Sequence, residues 1–592
     1  MSFDMMFLLI ILLAMFAVLI FEVARPDMVI FSVLVILLLS GILTVDEALS
    51  GFSNEGMLTV ALLFIVAGAV QKSGLINRMM EEWLKNSRTH TGTMLRFFLP
   101  TSAFSAFLNN TPIVVTFTPI IKRWCEERGV APSKFLIPLS YATILGGMIT
   151  LMGTSTNLVV HGLMLDFGLE GFSLFTLAAV GIPVAAVGLL YLFTIGYKLL
   201  PDNRGGDQRI KEDFKKYIAE MHVTQSFGFH NMRVDQAGLR DLKGLYLIEI
   251  IRGEERISPV RPKSVIRRGD RLIFTGLIST IAELQKVKGL ELETGTNIDL
   301  EDLKDGSTNL VDAVVSDQSS LLYKSIKQLQ FRSRYDAGIV AVHRNNERIS
   351  SKVGDIVLKP GDSLLLLTGT DFVGNYQQSN DFFVVSSLDI PAVLGQSRKK
   401  GWFSIILLIA MIMTVTIGWL SMFKAMALAV LVLLTGKIIT PQEAKKYVHF
   451  NVLLLIASSF GIGAAMRKTG LAEWIANSLL GFGEALGLMA ILFMLYVLTN
   501  MFTEVITNSA AAVMMLPIGI EMANTLAVDP GGMAVLIAIA ASASFITPIG
   551  YQTNLIVYGP GGYKFTDYVK VGLPLSFIVM VTSVFIIYHI WF

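Results

Sequence analysis

Ten apolar runs, most of them near the length of a bilayer-crossing helix, divide this 592-residue chain into two blocks. A helix needs about 20 apolar residues to cross the hydrocarbon core. The first block offers Met5–Phe21, Met28–Thr44, Met57–Val70, Phe135–Met164 and Leu174–Leu200. The second offers Phe403–Leu420, Ala425–Ile439, Val452–Ala465, Met533–Tyr558 and Leu573–Phe592. In each block an apolar but interrupted stretch, Thr93–Trp124 or Ala485–Met522, lies between the third and fourth runs. Charged residues are 16% of the chain, against about 25% in a soluble protein, and they gather in residues 201–400. The predicted organisation is a polytopic α-helical membrane protein. One membrane block covers 1–200, soluble α+β modules cover 201–300 and 301–400, and a second membrane block covers 401–592.

Other classes fall away. A net charge of +2 implies neither nucleic acid nor a polybasic lipid patch. Cys125 is the only cysteine, so no intrachain disulfide and no metal-ligand spacing exists. Met5–Phe21 lacks a basic leader and a small-residue cleavage site, and more spans follow at once, so it reads as a retained helix. No nucleophile–base set, metal cluster or phosphate loop points to an enzyme, and no organic cofactor is expected.

Short-loop charge sets the orientation. With the insert cytoplasmic, the connections at 22–27, 71–96, 122–134 and from 198 onward are cytoplasmic. They carry Arg25, Lys72, Arg78, Lys85, Arg88, Arg96, Lys122, Arg123, Arg128, Lys134 and Lys198. The opposite connections, 45–56 and 165–173, carry Asp46, Glu47, Glu55, Asp166 and Glu170 and no Lys or Arg. The second block obeys the rule less well, since Lys424, Arg467 and Lys468 fall outside. Five crossings per block turn the second block upside down and leave both termini external, in an inner or plasma membrane.

The blocks match each other at a nearly constant offset of 396–398 residues. Lys72-Ser73-Gly74-Leu75 corresponds to Lys468-Thr469-Gly470-Leu471, and Asn109-Asn110-Thr111 to Thr507-Asn508-Ser509. Gly153 and Thr156-Asn157-Leu158 correspond to Gly550 and Thr553-Asn554-Leu555. An odd number of crossings per repeat makes the topology inverted, a symmetry found in many secondary transporters. The Asn-Asn-Thr and Thr-Asn-Ser triplets read as tips of re-entrant hairpins. Gly153-Thr154-Ser155-Thr156-Asn157 and Gly550-Tyr551-Gln552-Thr553-Asn554 read as breaks in discontinuous helices. Such backbone at membrane depth is tolerated only where it lines protein or a water-filled cavity.

A helix that starts at a break aims free N–H groups and about half a positive charge inward, which suits an anion. One that ends there offers carbonyls to a small cation. None of the four motifs contains Lys or Arg. The plainer alternative is that these Ser, Thr and Asn side chains only join neighbouring helices; their symmetric placement in four clusters favours a site. Glu504 is the one carboxylate deep in an interrupted stretch, and intramembrane acids are functional by default. It is a candidate proton site, or a carboxylate on the wet side of the hairpin. His161 reads as a polar neighbour.

At these motifs the chain resembles the divalent anion/sodium symporter family of the ion-transporter superfamily, across both membrane blocks. The resemblance implies a sodium-coupled symporter with two sodium sites. Asn109, Asn110 and Gly153 match one, and Thr507, Asn508 and Gly550 the other. Asn110, Thr111, Asn508 and Ser509 would face the anion, with Thr154 and Ser155 nearby. It also implies a homodimer and an elevator-like movement. The absence of the family's prolines at the breaks, and the Tyr551-Gln552 pair, depart from the dicarboxylate-carrying pattern. The expected cargo is a small inorganic divalent anion, sulfate first, with C4-dicarboxylate or a proton-coupled variant using Glu504 as the alternatives.

The insert carries its own repeat at an offset of 92–93. Arg252-Gly253-Glu254-Glu255-Arg256-Ile257-Ser258 recurs as Arg344-Asn345-Asn346-Glu347-Arg348-Ile349-Ser350, Gly269-Asp270 as Gly361-Asp362, and Gly276 as Gly369. Strand-like runs, Leu245–Ile251, Arg271–Phe274, Gly338–Val342 and Ser363–Leu367, are bounded by turn residues, and Ile278–Lys288 reads as helical. The pattern resembles two tandem TrkA-C modules without a nucleotide-binding Gly-x-Gly-x-x-Gly half. Such an insert is similar to that of the sulfate-transporting branch. It is either a sensor for a small ligand or a dimerisation device.

Overall fold

A computed structural model describes the chain apart from residues 1, 22, 76–77, 81, 83–89, 204–217, 238, 240–244, 254, 258–259, 261–262, 277–288, 293–308, 345–346, 350–352, 370, 377–378, 380, 388–397 and 484–486. Lys85, Arg88, the helix expected over Ile278–Lys288, and Glu254, Ser258, Asn345, Asn346 and Ser350 of the insert repeat lie outside the described residues.

The first block folds as α1 (Phe3–Ile20), α2 (Pro26–Leu39), α3 (Glu55–Lys72), α4 (His90–Ser105), α5 (Asn110–Arg128), α6 (Leu136–Gly147), α7 (Ser155–Asp166) and α8 (Ala178–Tyr191). The second folds as α9 (Arg398–Thr416), α10 (Met422–Thr435), α11 (Phe450–Lys468), α12 (Leu471–Gly483), α13 (Leu488–Thr503), α14 (Asn508–Leu526), α15 (Pro530–Ser542), α16 (Gln552–Tyr558) and α17 (Phe565–Trp591). Among the described residues, six helical segments are long and apolar enough to cross a membrane. Helix bounds recur between the blocks. Adding 396 to the bounds of α2 gives those of α10, and adding 398 to those of α5 gives those of α14. The outer faces of α1 and α17 expose Ile10, Leu13, Phe577 and Phe585, apolar groups that lipid rather than water would solvate.

Two expectations need correction. The apolar run Met28–Thr44 is helical only to Leu39, because the chain turns at Gly41 with φ +78°, a conformation glycine adopts at little cost. Lys122, expected in a loop, lies in α5, whose helix continues until Gly129 closes it in the left-handed region. Lys122 is buried there and pairs with Asp312 at 3.2 Å.

Local capping starts the short helices that precede α3 and α11. Thr44 and Glu47 form a capping box on the short helix Val45–Leu49, and Thr440 and Glu443 form its counterpart on Pro441–Tyr447. These boxes also join the halves. Lys72 reaches Glu443 at 2.5 Å, and Lys468 reaches Glu47 at 2.7 Å. Both residues of one pair become those of the other under an exchange at 396.

The insert holds two five-stranded antiparallel sheets. The first comprises β1 (Ile218–Val223), β2 (Leu245–Arg252), β3 (Glu255–Ile257), β4 (Arg271–Gly276) and β5 (Leu290–Leu292), in the order β3-β2-β4-β1-β5. The second comprises β6 (Asn309–Val315), β7 (Ala337–Arg344), β8 (Glu347–Arg348), β9 (Ser363–Thr368) and β10 (Phe382–Ser387), in the order β10-β6-β9-β7-β8. Position for position these are one topology. Arg252 clamps Asp270 with two bonds of 2.9 Å, and Arg344 clamps Asp362 with two of 2.7 Å. The insert's repeated arginines and aspartates are thus fork-shaped structural pairs.

Candidate functional site

Each interrupted stretch forms two helices joined by a short turn, α4–α5 and α13–α14. The turns are tied to the following helix by matched hydroxyls. Ser105 Oγ donates to the Thr143 carbonyl at 2.8 Å, and Thr503 Oγ1 donates to the Ala541 carbonyl at 2.6 Å. Asn110 is buried. Its carboxamide is satisfied with Nδ2 donating to Ser105 Oγ and to the carbonyls of Thr143 (3.1 Å) and Gly153 (3.3 Å), while Oδ1 accepts from the Tyr551 hydroxyl at 2.7 Å. The Asn508 carboxamide lies 2.9 Å from Thr503 Oγ1.

The breaks between α6 and α7, and between α15 and α16, are held by one asparagine each. Asn157 Nδ2 donates to the carbonyls of Gly147 (3.2 Å) and Thr150 (2.9 Å). Asn554 Nδ2 donates to those of Ser544 (3.1 Å) and Thr547 (3.1 Å). A threonine then ties each break to the neighbouring turn: Thr150 donates to the Ala106 carbonyl, and Thr547 to the Glu504 carbonyl at 3.0 Å. Glu504 therefore stands where the first half has Ala106. Its carboxylate accepts from the backbone N–H groups of Phe545 (2.8 Å), Ile546 (2.9 Å) and Thr547 (2.8 Å), turned into the break rather than into open space.

The halves meet through the second break. The Tyr551 hydroxyl lies 3.2 Å from Thr154 Oγ1 as well as against Asn110. Gln552 Oε1 accepts from Thr111 Oγ1 at 3.0 Å, and Ser140 Oγ donates to Asn554 Oδ1 at 2.7 Å. Around this seam lies a cavity of about 1100 Å³. Of the residues picked from sequence, Asn109, Thr111, Thr154, Ser155, Thr507, Asn508, Ser509 and Gly550 line it. Asn110 and Gly153 stand one layer behind, and Glu504 is not on its wall. Arg25, Lys72, Arg78 and Lys446 also line it, as do Asp27, Asp362 and Glu443; Arg25 pairs with Asp27 and Lys72 with Glu443, so the charge at the wall comes from neighbouring segments and is largely paired.

Buried oxygens without a protein partner cluster in the same parts: Asn157 Oδ1, Thr507 Oγ1, Ser542 Oγ and Ser544 Oγ. At Gly550 a methyl group would lie 2.3 Å from Ser544 Oγ, 3.0 Å from the Thr503 carbonyl and 3.0 Å from Thr547 Oγ1. Neutral oxygens converging on a glycine make a cradle of the kind that fits a small cation, which unwound carbonyls and hydroxyls coordinate well.

Sequence reasoning missed Ser105, Ser140, Thr143 and Thr503, whose only trace is the pairing of Ser105 with Thr503 at 398. It also missed that the second insert module reaches the cavity. Ser316, Asp317 and Gln318, in the turn after β6, line it. Asp317 Oδ2 accepts from Gln552 Nε2 at 2.7 Å, and Gln318 Oε1 lies 3.1 Å from His449 Nδ1. Burial pushes the Asp317 carboxyl up to about 6, against the opposing pull of its bonds from Gln552 and Ser316.

These features define a class: a multi-helix membrane protein with a polar cavity at the seam of two matching halves. The family described as citrate transporter matches residues 16–540. The chain belongs to that family, and it is a membrane transporter rather than an enzyme. It is 32% identical to a putative sulfur deprivation response regulator of Chlamydomonas reinhardtii, over 95% of this chain and 97% of that protein. It is 31% identical to the uncharacterized transporter sll0640 of Synechocystis sp., over 93% and 91%. It is 26% identical to sodium/sulfate cotransporter 1 of Chlamydomonas reinhardtii, over 93% and 85%.

Proposed function

We propose that this chain is a sodium-coupled symporter of a small divalent oxyanion, sulfate first. The observation that carries the reading is that both turn motifs and both breaks open on one cavity and bring neutral hydroxyls and amides to its wall. Three helices of 12 to 19 residues, α5, α7 and α14, begin at its wall, so their N-terminal dipoles favour an anion there. Sulfate has no protonatable group near neutral pH, and neutral donors suit it. Arg78 at the cavity raises the local anion concentration, while Arg25 is held by Asp27. The oxygens around Gly550 supply one cation position, with Thr507 and Asn508, and the matching first half supplies the other, with Asn109, Asn110 and Gly153. Relatives named as sodium/sulfate cotransporters support the pairing of the two solutes.

The two halves act as an inverted repeat, on the support of ion pairs that exchange under a constant offset. The turns and breaks move together as an elevator. Its support is that α16 packs on α5 and α14 on α7, each half's turn helix against the other half's break helix. The insert comprises two TrkA-C-type modules and lies in the cytoplasm, with both termini external and two copies per transporter. Radiolabelled sulfate uptake into proteoliposomes tests the central reading. Uptake requires a sodium gradient; uptake indifferent to sodium, or absent, ends it. A C4-dicarboxylate cargo is the second reading, favoured by the carboxylate of Asp317 on Gln552. Competition by succinate or malate separates the two.

A further inference from the structure

The four membrane motifs contribute no acid to the cavity wall; of the acids that line it, Asp27, Asp362 and Glu443 form ion pairs with Arg25, Arg344 and Lys72, whereas Asp317 is bound by an amide. Asp317 belongs to the soluble insert, and its Oδ2 takes the Gln552 Nε2 hydrogen at 2.7 Å. Gln552 is the first residue of α16, and its other end accepts from Thr111 at the opposite turn. The Gln552 amide, which bridges the two halves on the cavity wall, thus donates to the protein's own anion.

The turn that carries Asp317 is held in place. The strand before it, β6, is pinned to α5 by the Lys122–Asp312 pair, and Asp312 Oδ1 accepts from Ser363 Oγ at 2.6 Å. Gly361 packs so closely on Leu555 of α16 that a methyl group there would lie 2.5 Å from the leucine side chain. Gln318, beside Asp317, meets His449 just ahead of α11. The turn therefore touches α16 on one side and the entrance to α11 on the other. Asp317 is partly buried, and that burial raises its carboxyl.

We propose that Asp317 is a tethered carboxylate occupying the transported anion's place at Gln552, so that the second insert module and the cargo compete for one donor. This rests on the anion-binding reading above. With the module seated, part of the anion's coordination is filled and the cavity is closed on the insert side. When an anion enters, Asp317 leaves Gln552 and the Ser316–Gln318 turn withdraws. The insert then gates transport by occupancy rather than by distant strain.

The test uses the full chain in proteoliposomes, with Cys125→Ser removing the lone thiol. Gln318→Cys and His449→Cys are joined by a short reducible thiol crosslinker. Crosslinking abolishes sulfate uptake and reductant restores it; uptake that survives complete crosslinking overturns the proposal. Sulfate with sodium slows the crosslinking at least threefold. Asp317→Ala lowers the KM for sulfate about three- to tenfold, the factor expected when 70–90% of the sites are self-occupied. Asp317→Asn keeps an acceptor for Gln552 but removes the charge, so its KM falls toward that of the alanine variant, whereas a merely structural hydrogen bond would leave it at the parent's value. An unchanged or raised KM in Asp317→Ala overturns the proposal. If the parent protein takes up no sulfate, the substrate reading has failed instead. Crosslinking is then timed against a panel of sulfate, succinate and malate, and a rate that none of them slows overturns the competition itself.

Discussion

Replacing Glu504 with glutamine separates two roles for the acid that lies beside the second hairpin turn. Its carboxylate accepts three backbone N–H groups, from Phe545, Ile546 and Thr547. Glutamine keeps one carbonyl oxygen, which still serves Phe545 and Ile546, but sets its own N–H₂ against the N–H of Thr547. One bond to a charged acceptor is lost, and such a bond contributes about 1.5–3 kcal/mol. Thr547 also lines the Gly550 cradle, so the loosened break weakens cation binding there. If the whole cost falls on the ion-bound state, sodium affinity drops about 10- to 150-fold. The assay is the sodium dependence of sulfate uptake at several pH values, for wild type and Glu504→Gln. A clamp role raises the half-saturating sodium concentration at least tenfold and leaves the shape of the pH profile intact. A sodium dependence within twofold of wild type refutes the reasoning. If the pH profile is also flattened, Glu504 carries a proton.

Gly550→Ala drives a methyl group against Ser544 Oγ and the Thr503 carbonyl, and is expected to abolish sodium-stimulated uptake. Gly481→Ala, in open space, retains it; equal activity in the two variants removes the cradle. Lys122→Met leaves Asp312 buried without its ammonium partner, at a cost of about 3–5 kcal/mol. Limited trypsin digestion then cuts the insert faster, and adding Asp312→Leu recovers most of the resistance. Unchanged digestion shows that this pair does not seat the module.

Much of the membrane architecture is written in local sequence signals. Asn110 and Asn508 interrupt apolar runs, Thr44-x-x-Glu47 and Thr440-x-x-Glu443 spell capping boxes, and Gly129 ends α5 in the left-handed region. Each acts within a few residues, so a single chain displays it. The ties that build the cavity do not. Ser140 to Asn554 and Asn110 to Tyr551 span more than 400 residues, and nothing in a lone serine tells which carbonyl or amide it will meet. Lys122 shows the opposite failure, because counting loop charge treats every lysine beside an apolar run as solvated. Strands β2, β4, β7 and β9 show β-branched and leucine-rich runs between turns. The two-residue strand β8 has too little sequence to announce itself.

The departures from symmetry carry more mechanistic weight than the symmetry. Where the first half has Ala106, Thr154 and Ser155, the second has Glu504, Tyr551 and Gln552. All three larger residues do cross-linking work: Glu504 clamps its own break, Tyr551 holds Asn110 and Thr154, and Gln552 joins Thr111 to Asp317. The second break is therefore filled with protein groups, while the first break keeps small side chains. On the anion-binding reading, free volume for cargo lies on the side of Thr154, Ser155, Asn508 and Ser509, with Gln552 at its edge. On the same reading, the two-fold arrangement of helices sets the two proposed cation positions at corresponding turns and breaks. Breaking that symmetry with bulk on one side leaves a single off-axis place for one anion, and the insert's carboxylate reaches that edge.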